Sequence, residues 1–108
     1  MKTTADAVLL DDDMLVHQVW SMLAKKNNKV LISYQDVDKF LAEINNYDFQ
    51  TPLYIDSNLG KGIQGEVIAK KAYDMGFQNI YIASGMPSSN FSHLTFIKGV
   101  TGKDAPWK

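Results

Sequence analysis

Four groups of side chains in this 108-residue chain have the chemical types needed to handle a charged substrate. They are the run Asp11-Asp12-Asp13, Asp56, Ser84 and Lys103. Carboxylates gathered at one place repel each other, so such an arrangement calls for a cation between them. Oxygen ligands of this kind suit Mg²⁺, which holds octahedral geometry and keeps several waters. A lysine and a hydroxyl nearby add positive charge and a hydrogen-bond donor, which a phosphoryl group in transfer needs on its oxygens. These residues lie far apart in the chain, so everything depends on the elements that position them.

Short apolar runs alternate with segments of helical period. Ala7-Val8-Leu9-Leu10 reads as a strand buried on both faces and stops at Asp11. From Met14 to about Asn27, an apolar stripe of Leu15, Val16, Val19, Met22 and Leu23 recurs at helical spacing. Val30-Leu31-Ile32 is a second strand. Asp36 is an N-terminal cap for a helix carrying Val37, Phe40, Leu41 and Ile44. Leu53-Tyr54-Ile55 is a third strand, ending on Asp56. A glycine-rich loop leads to a helix from Ile63 to Met75, with Gly76 as its stop. Ile80 to Ala83 is a fourth strand, ending on Ser84. Pro87 to Leu94 reads as a turn or two of helix and Gly99 to Lys103 as a short fifth strand, with no periodic segment after Trp107.

Strand–helix alternation with short connections predicts an α/β, doubly wound, five-stranded parallel sheet with helices on both faces. In such a sheet, ligands sit at the carboxyl ends of the strands, near the point where strand order reverses. The four groups fall at the ends of the first, third, fourth and fifth strands.

The segments Leu9-Leu10-Asp11-Asp12, Tyr54-Ile55-Asp56, Ile82-Ala83-Ser84-Gly85 and Thr101-Gly102-Lys103 resemble, in order, those of receiver domains of two-component response regulators. The likeness covers roughly the first 85 residues well and the remainder loosely. It implies a flavodoxin-like receiver fold and a phosphorelay role, with Asp56 taking a phosphoryl group from the phosphohistidine of a sensor histidine kinase or phosphotransfer protein. Asp11, Asp12, Asp56 and the backbone carbonyl of Asn58 would hold Mg²⁺. Ser84 would bond a phosphoryl oxygen, and Lys103 would pair with its charge. The side chain of Asn58, bordering the path of an attacking water, would affect how long the acyl phosphate lasts. By this likeness the chain is a switch whose only catalysis is its own phosphorylation and dephosphorylation.

The chain also departs from the pattern. Val100 stands three before Lys103, where receivers carry an aromatic residue that reports phosphorylation, and Asp104-Ala105-Pro106 follows Lys103 where Pro is usual. Lys98 is a rival for the phosphate-pairing role but follows Ser84 too closely to leave room for a crossover. The fourth helix is short and a fifth is absent. These trimmed features resemble C-terminal receivers of hybrid sensor kinases. They leave an apolar sheet face that could mediate self-association.

Composition sets the remaining bounds. Hydrophobic residues make up 45% of the chain and charged residues 21%, which predicts one ordinary globular domain over residues 1–108. The net charge of −1 gives no general attraction to nucleic acid or an anionic membrane. The absence of Cys excludes thiol chemistry and disulfides and points to the cytoplasm, and no signal core or membrane-length apolar run is present.

Competing interpretations attach to the same residues. Asp11-Asp12-Asp13 could simply cap the first helix, the role assigned here to Asp13. Gly60-Lys61-Gly62-Ile63-Gln64-Gly65 fits a dinucleotide-binding pattern, but Ile80 to Ala83 stands where that pattern needs an acidic residue. Asp11 and Asp13 also fit the D-x-D of a haloacid-dehalogenase-like phosphatase, which would leave Asp56 idle. A degenerate receiver that binds a partner without phosphorylation is a third possibility. His17 and His93 have no partner at ligand spacing and are assigned structural or solvated roles. Trp20 is placed on the first helix, and Trp107 over apolar surface left by the absent last helix.

Overall fold

Apolar runs of this length become strands when helices cover both faces of the sheet. The structure, a computed structural model, describes residues 3–108. Strands β1 (Ala7–Leu10), β2 (Leu31–Tyr34), β3 (Leu53–Asp56), β4 (Ile80–Ala83) and β5 (Gly99–Thr101) form one parallel sheet in the order β2-β1-β3-β4-β5. β1 pairs with β2 on one side and β3 on the other, so the strand order reverses between β1 and β3. Asp11 follows one of these strands and Asp56 ends the other.

Three helices, α1 (Met14–Lys26), α2 (Val37–Glu43) and α3 (Gly65–Met75), connect the strands. Asp13 caps α1 by accepting from Leu15 N–H at 2.9 Å, and Asp36 caps α2 through Asp38 N–H at 2.9 Å. The segment after β4 forms only a short 3₁₀ turn at Ser88–Phe91, and no helix follows β5 among the described residues.

Each face of the sheet carries its own core. Val8, Leu10, Leu53, Ile55, Ile80 and Ile82 pack with Phe40 and Ile44 from the α2 region, Ile68 and Ala72 from α3, and Phe77. Burying an aliphatic or aromatic side chain of this size contributes about 1.5–3 kcal/mol. On the opposite face Ala7, Leu9, Tyr54 and Ala83 meet Trp20 of α1. Here the chain after β5 packs on this face as well. Trp107 is half-buried against Trp20 at 6.5 Å between ring centroids, and Trp20 Nε1–H donates to the carbonyl of Lys103 at 2.8 Å.

Several boundaries differ from the sequence expectation. β2 starts at Leu31 and runs to Tyr34, because the carbonyl of Val30 accepts from Asp6 and Ala7 at the strand entrance. α3 starts at Gly65 rather than Ile63, since Ile63 N–H closes a turn onto Gly60 O. β5 ends at Thr101, so Lys103 lies just past the strand. Only part of the apolar stripe of α1 lies toward the sheet, Val16 packing against the Trp20 cluster. Leu15, Val19 and Met22 are 68%, 46% and 63% exposed, whereas His17, Trp20 and Ala24 are buried. Trp20 provides the reason: its large ring fills the space above Leu9 and Tyr54 and sets the rotation of the helix.

Candidate functional site

The loop after β1 and the end of β3 place Asp11, Asp12 and Asp56 together at the carboxyl edge of the sheet, with ligand oxygens all within 4.8 Å of one another. Asp11 is fully buried and Asp56 nearly so, while Asp12 is exposed. Both oxygens of Asp11 are engaged: Oδ1 accepts from Asp13 N–H at 2.9 Å and Oδ2 pairs with Lys103 Nζ at 2.9 Å. The same ammonium lies 2.7 Å from Asp56 Oδ1, which also accepts weakly from Asn58 N–H at 3.3 Å. Lys103 thus bridges the ends of β1 and β3 from beyond β5.

Lys98 lies elsewhere. Its Nζ donates to Asn79 Oδ1 at 2.8 Å and its N–H to Ile80 O, at the entrance of β4 and so the opposite edge of the sheet.

Ser84 continues the β4–β5 ladder, its N–H donating to Thr101 O at 2.9 Å. Its buried Oγ accepts from Met86 N–H at 3.1 Å and from Ser57 Oγ at 3.2 Å. Asn58 opens the β3–α3 loop, its side chain accepting from Gly60 N–H at 3.1 Å. That loop turns through three successive positive φ angles, 76° at Gly60, 53° at Lys61 and 75° at Gly62. A Cβ on Gly60 would come within 3.0 Å of Asp12 Oδ2, so the loop backbone closes directly over that carboxylate. Gly65 is tighter still, because a Cβ there would lie only 1.7 Å from the carbonyl oxygen of Asp56. The glycines therefore let the loop and α3 press against the acidic cluster. A depression of about 530 Å³, bounded by Asp12, Asp36, Asp38, Gly60 and Lys61, lies beside the exposed member of the cluster.

Burial is the main cause that pushes the Asp56 carboxyl above its ordinary value; the charge of Asp11 adds to it, against the pull of Lys103. Burial alone would lower Lys103, but its bonds to Asp56 and Asp11 more than offset this and hold the ammonium above its ordinary value. Three carboxylates against one ammonium leave two negative charges at the edge of the sheet. An all-oxygen donor set with that excess fits a hard divalent cation such as Mg²⁺.

Ser57 was not singled out in the sequence, whereas His17 was assigned a structural or solvated role. Ser57 is buried against Ser84. His17 is buried, and its Nε2 donates to the Asp11 carbonyl at 2.6 Å, a structural role for that ring. The spacing of His17, Trp20 and Ala24 is itself helical and was the available signal for His17. Asp13 is occupied as the cap of α1, and Asp11 has no exposed surface for nucleophilic attack. Neither arrangement favours the phosphatase alternative.

No protein-family model matches the chain, and no curated protein matches it in sequence. Solved structures do match. A CheY-like response regulator receiver domain from Methanospirillum hungatei JF-1 aligns with a TM-score of 0.76 at 18% identity, over 95% of this chain and 84% of that one. The receiver domain of a Francisella response regulator aligns with a TM-score of 0.70 at 19% identity, over 97% and 87%. The N-terminal domain of a response regulator/sensory box/GGDEF protein from Carboxydothermus hydrogenoformans gives 0.67 at 14% identity, over 92% and 82%. The fold is that of CheY-like receiver domains: a five-stranded, all-parallel, flavodoxin-like sheet. No helix among the described residues is long and apolar enough to cross a membrane.

Proposed function

We propose that this chain is a phosphoacceptor switch in two-component signalling, with Asp56 as the residue phosphorylated. The observation that carries this reading is the position of Lys103, whose ammonium bridges Asp56 at 2.7 Å and Asp11 at 2.9 Å at the point where strand order reverses.

An Asp56 oxygen attacks the phosphorus of a phosphohistidine. The new O–P bond forms as the N–P bond to imidazole breaks, and the imidazole leaves with the electron pair. Asn58 N–H and Lys103 orient the carboxylate through Oδ1. Lys103 then pairs with the charge on the transferred group, and Ser84 donates to one of its oxygens. Asp11, Asp12, Asp56 and the backbone carbonyl of Asn58 are the ligands proposed for Mg²⁺, which when bound offsets charge on the phosphoryl oxygens.

The open depression beside Asp12 suits a protein donor, namely a sensor histidine kinase or a phosphotransfer protein, in the cytoplasm. Self-association at the sheet face beside Trp107 belongs to the same proposal. That face is partly covered here by Trp107 itself.

Incubation with Mg²⁺ and acetyl phosphate, followed by intact-mass measurement, tests the central claim. A Mg²⁺-dependent phosphoryl adduct on the wild type that is lost in Asp56→Asn supports it. If neither acetyl phosphate nor beryllofluoride modifies the wild type, the chain is a partner-binding module without phosphotransfer. An adduct that persists in Asp56→Asn and disappears in Asp11→Asn would instead support the phosphatase-like chemistry.

A further inference from the structure

Ser57, the residue after Asp56, is buried and takes no part in the chemistry derived above. Its backbone is fixed, because its carbonyl accepts from Gly65 N–H at 2.9 Å where α3 presses onto the end of β3. Its hydroxyl donates to Ser84 Oγ at 3.2 Å, and Met86 N–H donates to the same oxygen at 3.1 Å. A serine hydroxyl has one proton to give and two lone pairs to fill. With both lone pairs of Ser84 taken, the hydroxyl is left with only its own proton to offer.

We infer that Ser57 is a positioning residue that sets Ser84 as a hydrogen-bond donor toward the phosphoryl group on Asp56. The inference rests on the phosphoacceptor reading of the site. Ser57 lies between two of the proposed cation ligands in the chain, but its hydroxyl bonds to Ser84 Oγ, and its side chain acts through Ser84. In its absence the Ser84 hydroxyl regains an open lone pair and can rotate away, so the donated bond must be formed from a mixed population. A neutral hydroxyl pair of this kind also carries no charge to disturb the cation site.

Beryllofluoride, a stable mimic of the phosphoryl group, tests this with Mg²⁺ present throughout. The affinities to compare are those of the wild type, Ser57→Ala, Ser84→Ala and the double variant. Ser57→Ala should bind beryllofluoride about 5- to 10-fold more weakly, the size of one lost hydrogen bond. In the Ser84→Ala background, Ser57→Ala should cause no further loss, because its effect passes through a hydroxyl already removed. Ser57→Thr, which retains the donor, should restore wild-type binding, and Mg²⁺ affinity should be the same in wild type and Ser57→Ala. Equal or tighter beryllofluoride binding by Ser57→Ala overturns the inference. Additive losses in the double variant overturn it too, since they indicate a general disturbance of the site. A wild type that binds no beryllofluoride brings down the phosphoacceptor reading itself. That result is distinct from one in which the wild type binds and Ser57→Ala matches it.

Discussion

The placement of Asp56 sets a conflict between stability and reactivity at a single carboxylate. Burial and the neighbouring Asp11 raise its pKa despite the Lys103 ion pair, so the ionised form costs the metal-free fold stability. The folded state then holds a proton that the unfolded state has already released, and stability falls as pH rises from the unfolded value through the raised one. Asp56→Asn carries no such charge. In EDTA at neutral pH it should unfold at higher urea than the wild type, and the difference should shrink as pH falls toward the ordinary carboxylate range. Paired urea titrations at two pH values check this. A variant less stable than the wild type at neutral pH would mean that the Lys103 pair outweighs the burial cost. The residue types at this cluster were legible in the sequence, since Asp11, Asp12, Asp56 and Lys103 all suggested a charged site. Ser57 was not, because a serine after a strand end carries no pattern until its neighbour in space is known.

At the scale of elements, two substitutions separate scaffolding from chemistry. The Asp13 side chain caps α1 by accepting from Leu15 N–H, and only its backbone N–H, which any residue there supplies, reaches the carboxylate cluster at Asp11 Oδ1. Asp13→Ala should cost about 1 kcal/mol, the usual loss for such a cap, and leave Mg²⁺ affinity unchanged. Urea unfolding and a Mg²⁺ titration read the two effects separately; a loss of Mg²⁺ binding would count Asp13 among the ligands. Gly65 has the opposite character, because α3 can approach β3 only where no Cβ stands against the Asp56 carbonyl. Gly65→Ala should therefore destabilise by about 1–3 kcal/mol, as overpacking does, and should also weaken Mg²⁺ binding by displacing Asp56. A midpoint equal to the wild type would show that α3 can retreat without cost. The strands were readable from their apolar runs, whereas the buried face of α1 was not. Leu15, Val19 and Met22 of its apolar stripe point to solvent while Val16 packs inward, because Trp20, a single large ring, fixes which side of the helix faces the sheet.

Across the whole molecule, the short chain after β5 closes one face of the sheet. Ala105 and Trp107 lie against the Trp20–Tyr54–Tyr81 face, where Tyr54 and Tyr81 are stacked at 4.9 Å, and Asn27 Nδ2–H donates to the carbonyl of Lys108 at 3.1 Å. Trp107→Ala should lower stability by about 1–2 kcal/mol, the value of a half-buried aromatic ring, and increase binding of a hydrophobic dye to the exposed face. Thermal unfolding with and without dye measures both, and an unchanged midpoint would show that the tail contributes nothing to that layer. Mg²⁺ couples to the same global equilibrium. At 100 times its dissociation constant it should stabilise the fold by about 2.7 kcal/mol, because the ligands come together only in the folded state. Loss of that increment in Asp12→Asn would connect it to the cluster, and its retention there would place the cation elsewhere.

The sequence by itself determined the alternation of strands and helices, the carboxyl-edge location of the acidic groups and the shortened fourth helix. Those features are local: an apolar run, a cap or a turn is specified by residues a few positions apart. Only the tertiary structure showed that Lys103 reaches Asp56 and Asp11 while Lys98 lies at the opposite edge of the sheet, because the two differ in position rather than in chemistry. The same holds for the rotation of α1, the stacking of Trp107 on Trp20, and the pairing of Ser57 with Ser84. Each of these joins residues from different elements, and such contacts exist only once the sheet has fixed the distance and orientation between them.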